Sequence, residues 1–151
     1  MRIVIQRVSA ASVSVGGDCV GRVDGPGLMV LVGVRRGDSA DAARRLAAKT
    51  ASLRIFEDES GVMNRSLVDV GGSVLAVSQF TLLAQTLRGN RPSYIEAAPR
   101  EEAEALYELF CDELERLTGH PTARGRFGAD MKVALVNDGP VTIVIDSDQW
   151  K

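Results

Sequence analysis

Apolar and polar positions alternate from the start of the chain. Ile3, Ile5 and Val8, then Val13 and Val15, are spaced as one long, slightly irregular β-strand. Gly16-Gly17-Asp18 turns it back into Cys19–Val23, and Asp24-Gly25-Pro26-Gly27 reads as a second turn. Leu28–Val34 is a nearly continuous apolar run, the pattern of a buried strand. Asp38-Ser39 caps a helix running to about Ser52, with Ala43, Leu46, Ala47 and Thr50 on one face. Leu53–Phe56 reads as a strand, Glu57–Gly61 as its turn, and Ser73–Leu83 as another central strand. The strongest helix is Pro99–Leu117. Proline suits its first position, Glu101, Glu102 and Glu104 suit its positive end, and Gly119 suits its stop. Ala103, Leu106, Tyr107, Phe110, Leu114 and Leu117 give it a core-facing stripe. Met131–Val136 and Val141–Ile145 are the last two apolar runs. About seven strands and two main helices predict an α+β fold on mainly antiparallel sheet, one domain over residues 1–151.

Composition narrows the chemistry. At 151 residues, 45% hydrophobic and 25% charged, the chain is an ordinary globular domain, and no apolar run reaches bilayer length. The N-terminus lacks signal-peptide architecture, so the expected compartment is the cytoplasm. A net charge of −2 argues against coating nucleic acid by bulk electrostatics. It leaves open a grip on one RNA end by a local cluster, for which Arg88, Arg91, Arg124 and Arg126, in two Gly-containing loops, are the candidates. Cys19 and Cys111 lie far apart with no CxxC, and His120 is the only histidine, so no metal cluster is expected. Neither GxxxxGK[ST] nor a post-strand GxGxxG occurs. An enzyme of this sequence is expected to work without metal, nucleotide cofactor or histidine, by backbone electrostatics, hydroxyls and the substrate itself.

Two segments carry that chemistry. Asn137-Asp138-Gly139-Pro140-Val141-Thr142 lies between the last two apolar runs and reads as a strand-to-strand turn, either a plain hairpin corner or bare backbone presented to a ligand. X-Pro is also the one peptide bond that adopts cis at modest cost. Ser78-Gln79-Phe80-Thr81-Leu82 ends the run Val74–Val77. Its hydroxyls either satisfy neighbouring backbone or, with exposed amides, supply the parts of an oxyanion hole. On a continuing strand, Ser78 and Phe80 would share one face and Gln79 and Thr81 the other. Gly89–Tyr94 follows as an arginine-bearing loop suited to a phosphate.

Together with Arg91-Pro92-Ser93-Tyr94, Gly125–Met131, Gln6-Arg7-Val8 and Ala11-Ser12-Val13, these blocks make the chain resemble the D-aminoacyl-tRNA deacylase family end to end. Tyr94 departs from the usual Phe, and Ser147–Lys151 matches nothing diagnostic. The resemblance implies hydrolysis of the ester joining a D-amino acid, or mischarged glycine, to the 3′-terminal adenosine of tRNA. It implies a barrel-like sheet, no cofactor, and a homodimer in which a cis Gly139-Pro140 enters the partner's pocket. Ser78, Gln79, Phe80 and Thr81 are then the catalytic residues, and Gly139, Pro140, Phe127, Met131, Asn137 and Arg7 the substrate-binding ones, with Arg7 orienting the Gly-Pro turn. L-residues would be rejected by clash with rigid backbone, and water would attack with help from the ribose 2′-hydroxyl. The rivals are a non-catalytic nucleic-acid-end binder, a deacylase with a trans Gly-Pro bond that removes an L-amino acid, and a purely structural homodimer with no ligand.

Overall fold

The computed structural model describes residues 1–150. Two long strands, β1 (Arg2–Val15) and β2 (Asp18–Gly33), pair antiparallel about the Gly16-Gly17 turn. They are followed by α1 (Ala40–Ser52), the short hairpin β3 (Phe56–Glu57) and β4 (Met63–Arg65), a single-turn α2 (Leu67–Val70) and β5 (Ser73–Ser78). A 3-10 turn (Phe80–Leu83), α3 (Arg100–Thr118), β6 (Ala123–Arg124) and β7 (Lys132–Asp146) complete the order, with a last 3-10 turn at Ser147–Trp150. The main sheet runs β6-β5-β2-β1-β7. Its long pairings, β2 with β1 and β1 with β7, are antiparallel, and β5 adds in parallel to β2.

Both main helices form where their capping and apolar spacing place them. Ser39 Oγ accepts the Ala42 N–H at 3.1 Å, and Ala43, Leu46, Ala47 and Thr50 are buried. In α3, Pro99 is the cap and Gly119 ends the helix at φ 73°. The helices cover one sheet face through Ile3, Ile5, Leu28, Val30, Leu46, Tyr107 and Phe110. On the other face the sheet curls over itself, closing Val8, Ala11, Val13, Met29, Leu75 and Val77 under Met131, Val133 and Leu135.

Four local expectations are corrected. Asp24–Gly27 does not end a strand, because β2 passes straight through it. Asn137–Thr142 is not a hairpin corner, because both flanking runs pair with the same strand: Val8 faces Asn137 and Gln6 faces Thr142. Asp138, Gly139, Pro140 and Val141 therefore bulge out opposite Arg7 alone, within one strand, and the Gly139-Pro140 bond is cis. The Leu53–Phe56 strand shrinks to Phe56–Glu57, since the Ile55 carbonyl is taken by Arg7 Nη1 at 2.7 Å. Ser73–Leu83 breaks at Ser78, for a reason that belongs to the site.

The irregularities share one height. The β1–β2 register shifts between Val8 and Ala10, where Ser9 faces Gly25-Pro26, and the β7 bulge lies nearby, opposite Arg7. Proline has no N–H for a ladder, so it enters a strand only at such places. Against β7, where Val136 and Asn137 are adjacent, Ser9 is the unpaired residue of β1, and the strand changes phase there. Ile3 and Ile5 lie against the helices, whereas Ala11 and Val13, of the same parity, face the opposite cluster.

The sheet's far end is closed by charge. Asp146 receives Arg2 Nε at 3.0 Å, Arg35 Nη2 at 3.2 Å and the Asp148 N–H at 3.0 Å. Burial would raise its pKa, but those bonds, Arg35's first, outweigh burial and hold it at about 2. Against an ordinary value near 3.9, that displacement stabilises the fold by on the order of 2 kcal/mol. The contribution is complete above about pH 4 and is lost as pH falls toward 2. Asp146→Asn should therefore cost about 2 kcal/mol or more at pH 7, with the gap from wild type narrowing below pH 4. Urea unfolding at pH 7 and pH 2.5 checks this, and an equal gap at both would refute the linkage.

Candidate active site

A glycine decides where β5 stops. The 3-10 turn lies directly on Gly33 of β2, where a Cβ would stand 2.5 Å from Leu83 Cδ2 and 3.1 Å from the Gln79 carbonyl oxygen. The chain can leave the ladder there and fold down over β2. Gln79 makes the bend, with φ −143° and ψ 81°, and its N–H still donates to the Val32 carbonyl at 2.8 Å. Pleat alternation thus ends at Ser78, and the expected pairing of faces beyond it does not hold. The first bond within the turn runs from Leu82 N–H to Gln79 O at 3.2 Å, so the Phe80 and Thr81 amides precede it. Thr81 Oγ1 accepts a hydrogen bond from the Gln79 side-chain amide.

The facing wall is the loop between β6 and β7. The Ala76 carbonyl uses both lone pairs, accepting the Tyr107 hydroxyl at 2.9 Å and the Gly125 N–H at 3.0 Å. One atom of β5 thereby fixes both α3 and the start of that loop. Tyr107 meets Phe127 with ring centroids 6.0 Å apart. Phe80 stays 54% exposed, edge-on to Tyr94 at 5.0 Å. Between the walls lies a cavity of about 470 Å³ whose lining includes Ser78, Gln79, Phe80, Phe127 and Met131. Small-molecule sites span roughly 300 to 1,000 Å³.

The remaining expected residues collect elsewhere. Thr81 stands beside the cavity, bonded to Gln79. Gly139, Pro140, Asn137 and Arg7 gather at the β7 bulge and take no part in the cavity wall. Arg7 is only 6% exposed; its Nε donates to the Asp138 carbonyl at 2.9 Å. Asn137 closes the neck of the bulge: its Oδ1 accepts the Val141 N–H at 2.9 Å, and its Nδ2 donates to Thr142 Oγ1 at 3.0 Å. Gly139 sits at φ 137°, and a Cβ on it would come 2.8 Å from Val141 Cγ2 and 3.1 Å from Arg7 Nη2. The bulge is fixed from inside, while Gly139 and Pro140 themselves face outward, exposed.

Two more observations revise the expected chemistry. Arg124 is not free for nucleic acid: it is ion-paired with Glu108, with Asp112 at 2.7 Å and with Glu115 at 2.9 Å. Arg88, Arg91 and Arg126 remain exposed. Conversely, Arg100 and Asp130 line the cavity without having been expected there. No spacing signal links them to Ser78, since it is the packing of α3 against β5 that brings them to it.

Known proteins match this geometry and sequence throughout. The family model for D-Tyr-tRNA(Tyr) deacylase matches residues 4–146. The chain belongs to that family. It is 60% identical over 147 residues to the D-aminoacyl-tRNA deacylase of Roseiflexus sp. (strain RS-1), covering 97% of this chain and 94% of that protein. It is 59% identical over 151 residues to that of Thermomicrobium roseum, covering 100% and 97%. Among solved structures, one titled "c-Myc DNA Unwinding Element Binding Protein" superposes with a TM-score of 0.89 at 40% identity, covering 97% of this chain and 98% of that one. A probable eukaryotic D-amino acid tRNA deacylase shares the fold, with a TM-score of 0.80 at 19% identity over 95% and 97%. The protein is a hydrolase of the D-aminoacyl-tRNA deacylase class. Among the described residues, no helix is long and apolar enough to cross a membrane.

A thiol route is closed to this deacylase. Cys111 is buried on α3, and burial pushes its thiol up to about 12, so it stays neutral and unreactive at working pH. Cys19 is exposed on β2. A disulfide reagent should titrate one thiol in the native protein and two in denaturant; fast native labelling of Cys111 would contradict its assignment as inert.

Proposed function

We propose that this deacylase cleaves the ester between a D-amino acid, or glycine, and the 3′-terminal adenosine of tRNA, releasing the free amino acid and intact tRNA. The observation that carries this reading is the convergence of the Ser78-Gln79-Phe80 strand end and the Phe127–Met131 loop on one cavity. Its size suits an aminoacyl nucleoside. Water adds to the ester carbonyl, and its proton passes by way of the substrate's 2′-hydroxyl to the departing 3′-oxygen. The amides of Phe80 and Thr81 stabilise the tetrahedral oxyanion; removing one such donor typically costs a factor of about 100 to 1,000.

Thr81 shapes the site and does not attack. Its hydroxyl is bonded to the Gln79 amide nitrogen, a donor that cannot take up the proton of a nucleophilic hydroxyl. Chiral selection belongs to the bulge. We assign a homodimer in which Gly139-Pro140 of one subunit enters the cavity of the other. That arrangement is supported by a bulge braced by Arg7 and Asn137, exposed at its tip and absent from the wall of its own subunit's cavity. Rigid backbone there fills the direction of an L side chain, leaves that of a D side chain open, and has nothing to exclude in glycine. The 40% identical structure titled for DNA binding supports a second reading, a nucleic-acid-end binder without catalysis.

Incubation with D-tyrosyl-, L-tyrosyl- and glycyl-tRNA separates these: the D-tyrosyl and glycyl esters should be lost and the L-tyrosyl ester kept. Retention of all three alongside tight nucleic-acid binding would favour the second reading. Thr81→Ala should keep at least about a tenth of wild-type kcat, because losing a true nucleophile typically costs about a million-fold. Gly139→Ala should lower D-tyrosyl-tRNA turnover about tenfold or more, given the contacts its Cβ meets. Unchanged turnover would remove Gly139 from the site.

A further inference from the structure

Arg100 opens α3 at the rim of the cavity. Among the residues that line the cavity it is the one cation, and Asp130, the one anion, is paired with Lys132 Nζ at 3.1 Å. The Arg100 guanidinium lies 5.8 Å from the Phe127 ring centroid and flat against Gly128, where a Cβ would stand 3.2 Å from Nη1. Its partner in sequence, Glu104, is 3.8 Å away, and the Arg100 side chain is 70% exposed. An exposed i,i+4 pair of that length contributes little, so it does not commit the guanidinium. The group thus sits beside Phe127 and Gly128 at the rim and is otherwise open to solvent.

An aminoacyl-adenosine filling the cavity carries no anion of its own; the nearest negative charge of a tRNA is the phosphodiester on the 5′ side of that nucleoside. A planar guanidinium with a free edge suits a phosphodiester, because two parallel N–H groups match two phosphoryl oxygens. We propose that Arg100 binds the phosphodiester preceding the 3′-terminal nucleotide, setting the depth to which the ester enters the cavity. This rests on the deacylase reading above. It also gives tRNA a local cation in a chain of net charge −2, in which Arg124 is already consumed by carboxylates.

The test measures kcat, KM and their salt dependence for wild type, Arg100→Ala and Arg100→Lys. D-Tyrosyl-tRNA is compared with D-tyrosyl-adenosine, an ester with no phosphate. On tRNA, Arg100→Ala should raise KM about tenfold with kcat nearly unchanged, and flatten the log–log salt slope by about 0.7 to 1. Arg100→Lys should recover part of both. On the phosphate-free ester the KM penalty should shrink below about twofold. An equal penalty on both esters would mean that Arg100 only packs against Phe127, and an unchanged KM and salt slope on tRNA would remove the phosphate contact. Binding of a short RNA ending in a 3′-adenosine, followed by fluorescence anisotropy, reads the same salt slope without turnover. Should wild type hydrolyse neither ester, the deacylase reading falls, while that slope still decides for or against Arg100.

Discussion

The fold depends on β1 being the common ladder partner of β2 and β7 while changing face part-way along. The strand changes phase about Ser9, so Ile3 and Ile5 face one side and Ala11 and Val13 the other. Both neighbours are irregular close to that point: β2 sets Gly25-Pro26 against Ser9, and β7 sets four residues against Arg7.

Cations are then distributed according to what the backbone leaves unpaired. Arg7 is buried where the bulge frees carbonyls, and it bonds those of Asp138 and Ile55, joining the turn to the β3 hairpin. Arg2 and Arg35 converge on Asp146, where the last strand, the first strand and the β2–α1 loop meet. Arg124 is surrounded by three carboxylates, all on successive turns of α3. Each of these arginines is spent inside the molecule. Arg100 has only a distant, exposed partner and lies beside Phe127 at the cavity mouth.

The two halves of the candidate site are built by different means. The cavity wall is made by close approach: a glycine at position 33 lets the 3-10 turn settle on β2, and the Ala76 carbonyl holds α3 and the facing loop at once. The bulge is made by side chains replacing ladder bonds, with Asn137 taking the Val141 N–H and Arg7 the Asp138 carbonyl. Rigidity arises in both cases because groups displaced from regular structure find fixed partners.

Local patterns in the sequence determined the helices, since capping residues and a 3.6-residue apolar stripe act over one or two turns. They also singled out Ser78–Thr81 and Asn137–Thr142 as candidates, because polar groups and a Gly-Pro step interrupt apolar runs there. Pairing lay outside their reach. The flanks of Gly139-Pro140 satisfy the hairpin pattern as well as they satisfy one bulged strand, and only the length and face of β1, far away in sequence, choose between them. Likewise the apolar run continues past Ser78, and its break depends on the missing Cβ of Gly33 on a neighbouring strand. Arg100 and Arg124 look alike in sequence, and the carboxylates folded around one but not the other separate them. Propensity and capping are local energies and can be read along the chain; register, close approach and charge pairing are energies between distant segments, and they acquire values only once the chain is folded.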